Sequence, residues 1–175
     1  VTLMHAWDGY QIQMPVGLEP TAVAVNPVTS KVYVANYSSG YVTVIDGNTD
    51  DTAKVTVDFG ANAVAVNAAT NKIYVTSWTT NRMIVIDGAT GGTQVVSVGN
   101  HPTAIAVNPV TNKIYVANWT SNDVTVVDGA TNGTTRVITS APASPANWKT
   151  INNTVLRPTS EPTLRSMPAV MMTRN

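Results

Sequence analysis

A 41-residue repeat constrains the fold of this chain more than any other feature of its sequence. The segment that begins at Pro20 reads Pro-Thr-Ala-Val-Ala-Val-Asn-Pro-Val-Thr-Ser-Lys-Val-Tyr-Val-Ala-Asn, and closely similar segments begin at Ala61 and Pro102. No insertion separates the copies, because one shared asparagine recurs every 41 residues (67 − 26 and 108 − 67), as Asn26, Asn67 and Asn108. Such self-similarity indicates a repeat architecture, in which each copy is one structural unit.

Within each copy, the short-range pattern predicts β-strands and turns. In the first copy, alternating Val and small residues and the many Val, Ile, Tyr and Thr residues favour four strands. They are Thr21–Asn26, Lys31–Asn36, Tyr41–Asp46 and Lys54–Phe59. Asn26-Pro27 predicts a turn in which Asn bonds its own backbone, and Asp46-Gly47 predicts one in which Gly takes a positive φ.

Four short strands in about 40 residues are typical of one β-propeller blade. The small side chains of Ala22 and Ala24 place the first strand innermost, where blades crowd together. We therefore expect an all-β fold, a β-propeller of four-stranded antiparallel blades with three full 41-residue repeats and partial blades at the ends. The predicted blades are residues 20–60, 61–101 and 102–140.

The two ends of the chain fit the repeat less well. Shifted by 82 residues, Gln11–Val16 matches an outer strand, so residues 1–19 are expected to be part of a preceding blade, with Val1–His5 as the strand before it. The chain thus resembles an excised piece. Residues 141–175 form an irregular tail or a ring-closing segment, and Pro and Ala dominate its start. Either the tail completes the N-terminal half-blade, or a larger propeller is truncated here.

The second strand of each copy carries the motif of a known family. Tyr33-Val-Ala-Asn36, Tyr74-Val-Thr-Ser77 and Tyr115-Val-Ala-Asn118 resemble the Tyr-Val-Thr-Asn signature of YVTN β-propeller repeats, which are related to NHL-type propellers. The resemblance covers residues 20–140. It implies a surface-layer-like or secreted protein, located outside the cell, in the periplasm or at the cell surface, and it implies little about activity.

Composition excludes several kinds of partner and chemistry. Charged residues make up 11% of the chain, against roughly 25% in an average protein, and ten basic side chains balance ten acidic ones. Without a basic block, nucleic acid is not an expected partner. No apolar run approaches the roughly 18 residues that span a membrane, so membrane insertion is not expected. Cysteine is absent, which removes thiolate nucleophiles and thiolate metal ligands.

Five residues are candidates for a ligand-binding face. One repeat position after the second strand holds an aromatic residue in all three copies, and the loop before the first strand opens at the same end of the blade. The candidates are Tyr37, Trp78, Trp119, Glu19 and His101. Aromatic rings can stack on sugars or pack on peptide side chains. Alternatively, a position repeated in every blade packs between the blades and has only a structural role.

An enzymatic alternative comes from related propeller lactonases, which hold a divalent cation in the central channel. The resemblance implies Glu19, Asn62 and His101 as candidate metal ligands, although oxygen ligands from further blades are missing. No Gly-x-Ser-x-Gly, His-Glu-x-x-His or phosphate-loop motif is present, so no catalytic residue is assigned.

The sequence therefore predicts a binding or scaffold module that engages a protein or carbohydrate ligand through one face. The alternative is a metal-dependent lactonase or other hydrolase. Open blade edges invite pairing with another chain, so self-association is expected through Gln11–Val16 and Thr134–Thr139 unless the tail closes the ring.

Overall fold

A computed structural model describes residues 2–4 and 11–138, and over these residues the chain is all-β. The N-terminal strands β1 (Thr2–Met4) and β2 (Gln11–Gln13) form an antiparallel pair. No helix in this part of the chain is long and apolar enough to cross a membrane. The predicted tail at residues 141–175 and His5 lie outside the described residues.

Three four-stranded antiparallel sheets follow, and they confirm the predicted propeller blades. The first consists of β3 (Pro20–Asn26), β4 (Lys31–Asn36), β5 (Tyr41–Asp46) and β6 (Thr52–Thr56). The second consists of β7 (Ala61–Asn67), β8 (Lys72–Ser77), β9 (Arg82–Asp87) and β10 (Thr93–Ser97). The third consists of β11 (Pro102–Asn108), β12 (Lys113–Asn118), β13 (Asp123–Asp128) and β14 (Thr134–Ile138). We call them blades 1, 2 and 3.

The fourth strand lies earlier than the sequence predicted. In blade 1 it spans Thr52–Thr56 instead of Lys54–Phe59. Pairing with β5 begins where the Asp46 amide bonds the Asp51 carbonyl, and it ends where Tyr41 faces Thr56. Phe59 therefore belongs to the connection that carries the chain to the next blade.

The first strand of each blade contains a β-bulge, and the bulged residues of blades 1 and 2 bond the next blade. The ladder skips the second residue of each first strand, which is Thr21, Asn62 or Thr103. A bulged residue is free to aim its side chain elsewhere. The Thr21 hydroxyl donates to the Ala61 carbonyl at 2.9 Å, and the Asn62 amide donates to the Pro102 carbonyl at 2.6 Å. First strands of adjacent blades are thus joined, as expected for innermost strands.

The apolar core lies between blades. One buried cluster joins Tyr33 and Val42 of blade 1 to Ile73 and Ile84 of blade 2, with Ala22 and Val64 packed against it. A second joins Tyr74 and Met83 of blade 2 to Ile114 and Val116 of blade 3. Tyr33 and Tyr74 therefore pack against the following blade, whereas Tyr115 of blade 3 is 37% exposed.

The Asp-Gly turns differ from the prediction. Gly47, Gly88 and Gly129 do not have positive φ; the left-handed residue of each Asp-Gly turn comes later, at Asp50, Gly91 or Asn132. A second left-handed residue, Ser30, Asn71 or Asn112, lies in the neighbouring first hairpin. Glycine is required because the two turns touch: the Gly88 amide donates to the Asn71 carbonyl at 2.8 Å, and a Cβ on Gly88 would lie 2.7 Å from that oxygen. The residue allows a close approach and supplies no unusual torsion.

Candidate functional site

Five predicted site residues lie at one end of the blades, which we call the aromatic edge. In each blade, the backbone amide of the aromatic residue that follows the second strand donates a hydrogen bond to a backbone carbonyl in the loop before the first strand. The acceptor lies two residues before the bulged residue. The pairs are Tyr37 with Glu19 (2.8 Å), Trp78 with Gly60 (2.8 Å) and Trp119 with His101 (3.0 Å). The Asn-Pro and Asp-Gly turns occupy the opposite edge, because they sit at the other ends of the same strands. Antiparallel strand directions account for this placement.

Three of these side chains form a ring cluster across the boundary between blades 2 and 3. The Trp78 ring centroid lies 4.6 Å from that of His101 and 5.5 Å from that of Trp119, with interplanar angles of 36° and 34°. The His101 Nδ1 atom lies 2.6 Å from the Thr120 hydroxyl. Tilted rings at these distances attract each other and hold each other in place. The cluster therefore presents a fixed aromatic surface.

The aromatic edge also exposes two apolar side chains that the sequence reasoning missed. Trp119 is 66% exposed, and Leu18 and Phe59 are 69% and 64% exposed. Leu18 and Phe59 occupy one repeat position, immediately before Glu19 and Gly60. The sequence did carry a signal for these residues. Two copies of the repeat place a large apolar residue in a loop, where it does not pack on a face of the sheet. Three large apolar side chains are thus exposed on this edge, two before a first strand and one after a second strand.

Glu19 and His101 occupy an unusual backbone position. The φ angles of Glu19, Gly60 and His101 are 53°, 78° and 51°, so this repeat position is left-handed in all three blades. Seven of the nine non-glycine residues with positive φ among the described residues are Asn, Asp or Ser, and the other two are Glu19 and His101. A left-handed conformation costs an ordinary residue on the order of 1–2 kcal/mol. Glycine, as in blade 2, avoids that cost.

The candidate metal ligands have other contacts. The Asn62 side chain bridges blades through Pro102, and its oxygen accepts the Thr76 hydroxyl at 3.0 Å. The Glu19 carboxylate accepts the Ser38 hydroxyl at 2.5 Å. Within the described residues, no three His, Cys, Asp or Glu side chains come together in a way that could hold a metal ion. That finding does not cover asparagine, so Glu19, Asn62 and His101 as metal ligands stay a prediction.

Other charged side chains on the aromatic edge occur in ion pairs. Asp58 lies 3.6 Å from the Arg82 guanidinium. Asp123, which is buried, pairs with Arg136 and also accepts the Asn118 amide. By contrast, Glu19 is exposed and has no basic partner among the described residues. Within the described part of the chain, the edge therefore carries a carboxylate without a basic partner, beside its exposed apolar side chains.

Comparison with known proteins shows the fold. No protein-family model matches the chain. A 34-residue stretch, 19% of this chain, is 62% identical to the PE-PGRS family protein PE_PGRS18 of Mycobacterium tuberculosis (strain ATCC 25618 / H37Rv) and covers 7% of that protein.

Two solved structures resemble a larger part of the chain. Kuenenia stuttgartiensis hydrazine synthase aligns with a TM-score of 0.67 and 23% identity, over 73% of this chain and 38% of that one. A chain of the nidogen/laminin complex aligns with a TM-score of 0.55 and 16% identity, over 67% of this chain and 47% of that one. The chain thus spans less than half the length of either. At these identities the likenesses show the architecture alone, which is that of consecutive β-propeller blades.

Proposed function

We propose that this chain is a protein-binding β-propeller module and that the partner contacts the aromatic edge. One observation carries the proposal: Leu18, Phe59 and Trp119 are each exposed by more than 60% on the same edge. Contiguous exposed apolar surface marks interaction sites in soluble proteins. Aromatic side chains are enriched at the centres of such interfaces.

Two further points support a binding role. The likeness to a chain of the nidogen/laminin complex relates this fold to a protein that binds another protein. The ring cluster of Trp78, His101 and Trp119 is held by its own contacts, so little side-chain freedom is lost on binding. A carbohydrate is the other ligand class that exposed indole rings suit.

The resemblance to YVTN repeats supports action at the cell surface, in the periplasm or outside the cell. Detection of the protein in the cytosolic fraction alone, after fractionation of the cells that make it, would argue against this location.

The binding proposal is tested with two matched variants. Leu18→Ser, Phe59→Ser and Trp119→Ser together remove the exposed apolar groups of the aromatic edge. Val28→Ser and Val110→Ser do the same on the opposite edge, where both valines are exposed. Candidate partners are captured from secreted and envelope fractions, purified, and titrated against each variant by calorimetry.

A partner that binds the native chain and the opposite-edge variant, but not the aromatic-edge variant, supports the proposal. Equal binding by both variants contradicts it. A glycan array probed with the native chain distinguishes the carbohydrate class: strong glycan binding that depends on Trp119, with no protein partner, overturns the proposal.

A further inference from the structure

We infer that the partner is a polypeptide that binds on the aromatic edge. Glu19 determines specificity for it by binding one of its basic side chains. This inference rests on the proposed function and adds the chemistry of the partner. Its basis is the combination, on one edge, of exposed apolar side chains with a carboxylate that has no basic partner among the described residues.

Charge complementarity carries the first step. On the aromatic edge, Asp58 already faces Arg82 and Asp123 already faces Arg136. Glu19 is exposed, and the Oε2 atom of its carboxylate accepts a hydrogen bond from the Ser38 hydroxyl. No other described residue donates to the second carboxylate oxygen. A Lys or Arg side chain is the group that satisfies both the charge and the free lone pairs.

The neighbouring apolar groups suit the same kind of side chain. Leu18 precedes Glu19 directly and is largely exposed. Lysine and arginine have long apolar stems that lie along such surface while the charged head reaches an acceptor. Leu18 and Glu19 together thus match a basic residue flanked by apolar residues in the partner.

The backbone supports a role for the Glu19 side chain itself. Blade 2 shows that Gly60 satisfies this left-handed repeat position. His101, in blade 3, has a structural reason to be there, because its ring packs on Trp78 and bonds Thr120. Glu19 has the Ser38 hydroxyl as its only such contact within the described residues. The Glu19–Ser38 contact matches that of His101 with Thr120, but among the described residues Glu19 has no ring contact like that of His101 with Trp78. Contact with a partner is a further reason for a carboxylate at this left-handed position.

The test uses the whole 175-residue chain and an array of synthetic peptides with apolar residues around a central Arg, Lys, Gln or Glu. Glu19→Gln removes the charge and keeps the shape. Asp46→Asn makes the same charge change on the opposite edge, where Asp46 accepts the Asn48 amide. Glu19→Gly removes the side chain and relieves the left-handed backbone.

We expect the native chain and Asp46→Asn to prefer Arg and Lys peptides over Gln and Glu peptides. Glu19→Gln should bind the basic peptides roughly two- to fivefold more weakly, as loss of one exposed ion pair predicts, and its binding should depend less on salt. Glu19→Gly should lose the same preference while its melting temperature stays the same or rises.

Three outcomes overturn the inference. Glu19→Gln could keep the full preference for basic peptides, Glu19→Gly could melt at a clearly lower temperature, or the native chain could show no basic preference. The proposed function is tested separately, because it requires Trp119→Ser to lose binding of every peptide. Binding that is lost in Trp119→Ser and unchanged in Glu19→Gln refutes the role of Glu19 alone.

Discussion

Asp87 and Asp128 illustrate how single residues hold the turns of this repeat. Hydrogen bonds from the backbone amides of Thr90 and Ala89, and from the Thr90 hydroxyl, lower the pKa of Asp87 below its ordinary value of 3.8. The Thr131 and Ala130 amides do the same for the pKa of Asp128. A carboxylate whose pKa is lowered in the folded state stabilises that state above its ordinary pKa. The stabilisation is lost as the pH falls through the lowered value.

We therefore predict that the variant with Asp87→Asn and Asp128→Asn loses less stability in acid than the native protein. Asparagine keeps an oxygen that accepts the turn amides and does not titrate. The free energy of unfolding, measured by urea titration between about pH 5 and about pH 2, should fall less steeply in the variant. Identical slopes in the two proteins would contradict the prediction.

The close approach at Gly88 gives a second prediction at the residue scale. Gly88→Ala should lower the free energy of unfolding by about 1–3 kcal/mol, since the new Cβ would overlap the Asn71 carbonyl. Gly92→Ala is the matched control, because the nearest atom to its Cβ is the Thr90 hydroxyl at 3.2 Å. It should change stability by less than about 0.5 kcal/mol. Denaturant titration of both variants measures the difference.

Sequence reasoning placed Glu19, His101 and the repeated aromatic residues on one edge because strand direction alone decides that. It could not find the exposure of Leu18 and Phe59, which depends on where the connection between blades runs. It also assigned the wrong role to the glycine of the Asp-Gly turns, because the Gly88 contact is with a turn 17 residues earlier (88 − 71). Contacts between turns are not visible in a local pattern.

At the scale of elements, a chain of asparagines joins the first hairpins of neighbouring blades. The Asn26 amide donates to the Asn71 side-chain oxygen, and the Asn67 amide donates to that of Asn112, both at 2.9 Å. Each donor also caps its own hairpin, since the Asn26 and Asn67 oxygens accept the amides of Val28 and Ala69. The turn within each hairpin can therefore be predicted from the repeated sequence. The hydrogen bond to the next blade is visible only in the structure.

We predict that Asn67→Ala destabilises the protein more than Asn108→Ala. Asn67 is fully buried and loses both its turn bond and its link between blades, for a total of about 1–3 kcal/mol. Asn108 caps its own turn through Val110 and Thr111, and the described residues give it no partner in another blade. The difference in unfolding free energy should be about 1 kcal/mol. Equal losses would show that the link between blades contributes little.

At the scale of the whole molecule, the blades were predicted well because each one repeats the same local signals. The exposure of the first strand of blade 1 could not be predicted in the same way. Val64 and Val66 of blade 2, and Ile105 and Val107 of blade 3, pack against the preceding blade. Their equivalents in blade 1 are Val23 and Val25, which are 59% and 57% exposed.

The N-terminal segment explains part of this difference. Met14 and Val16 pack with Val34 and Ile45 on the outer part of the same face of blade 1. They occupy the repeat positions of Val55 and Val57, 41 residues later. Among the described residues, the outer strands of a preceding blade are thus present, and no inner strand covers β3. Self-association through Gln11–Val16 and Thr134–Thr139 remains a prediction, and β14 is an outermost strand like β6 and β10.

Matched pairs of substitutions separate packing within the chain from packing between chains. Val64→Thr with Val66→Thr should lower the free energy of unfolding by about 1–3 kcal/mol, because hydroxyl groups enter the contact between blades 1 and 2. Val23→Thr with Val25→Thr should change it by less than about 0.5 kcal/mol in dilute solution, where these side chains meet water.

Multi-angle light scattering over a concentration series then reports association. If the native chain associates through the exposed face of β3, the Val23 and Val25 variant should shift toward the monomer, because these valines would be buried in that contact. Association that is unchanged in that variant would place the contact elsewhere, on the edges of β2 or β14.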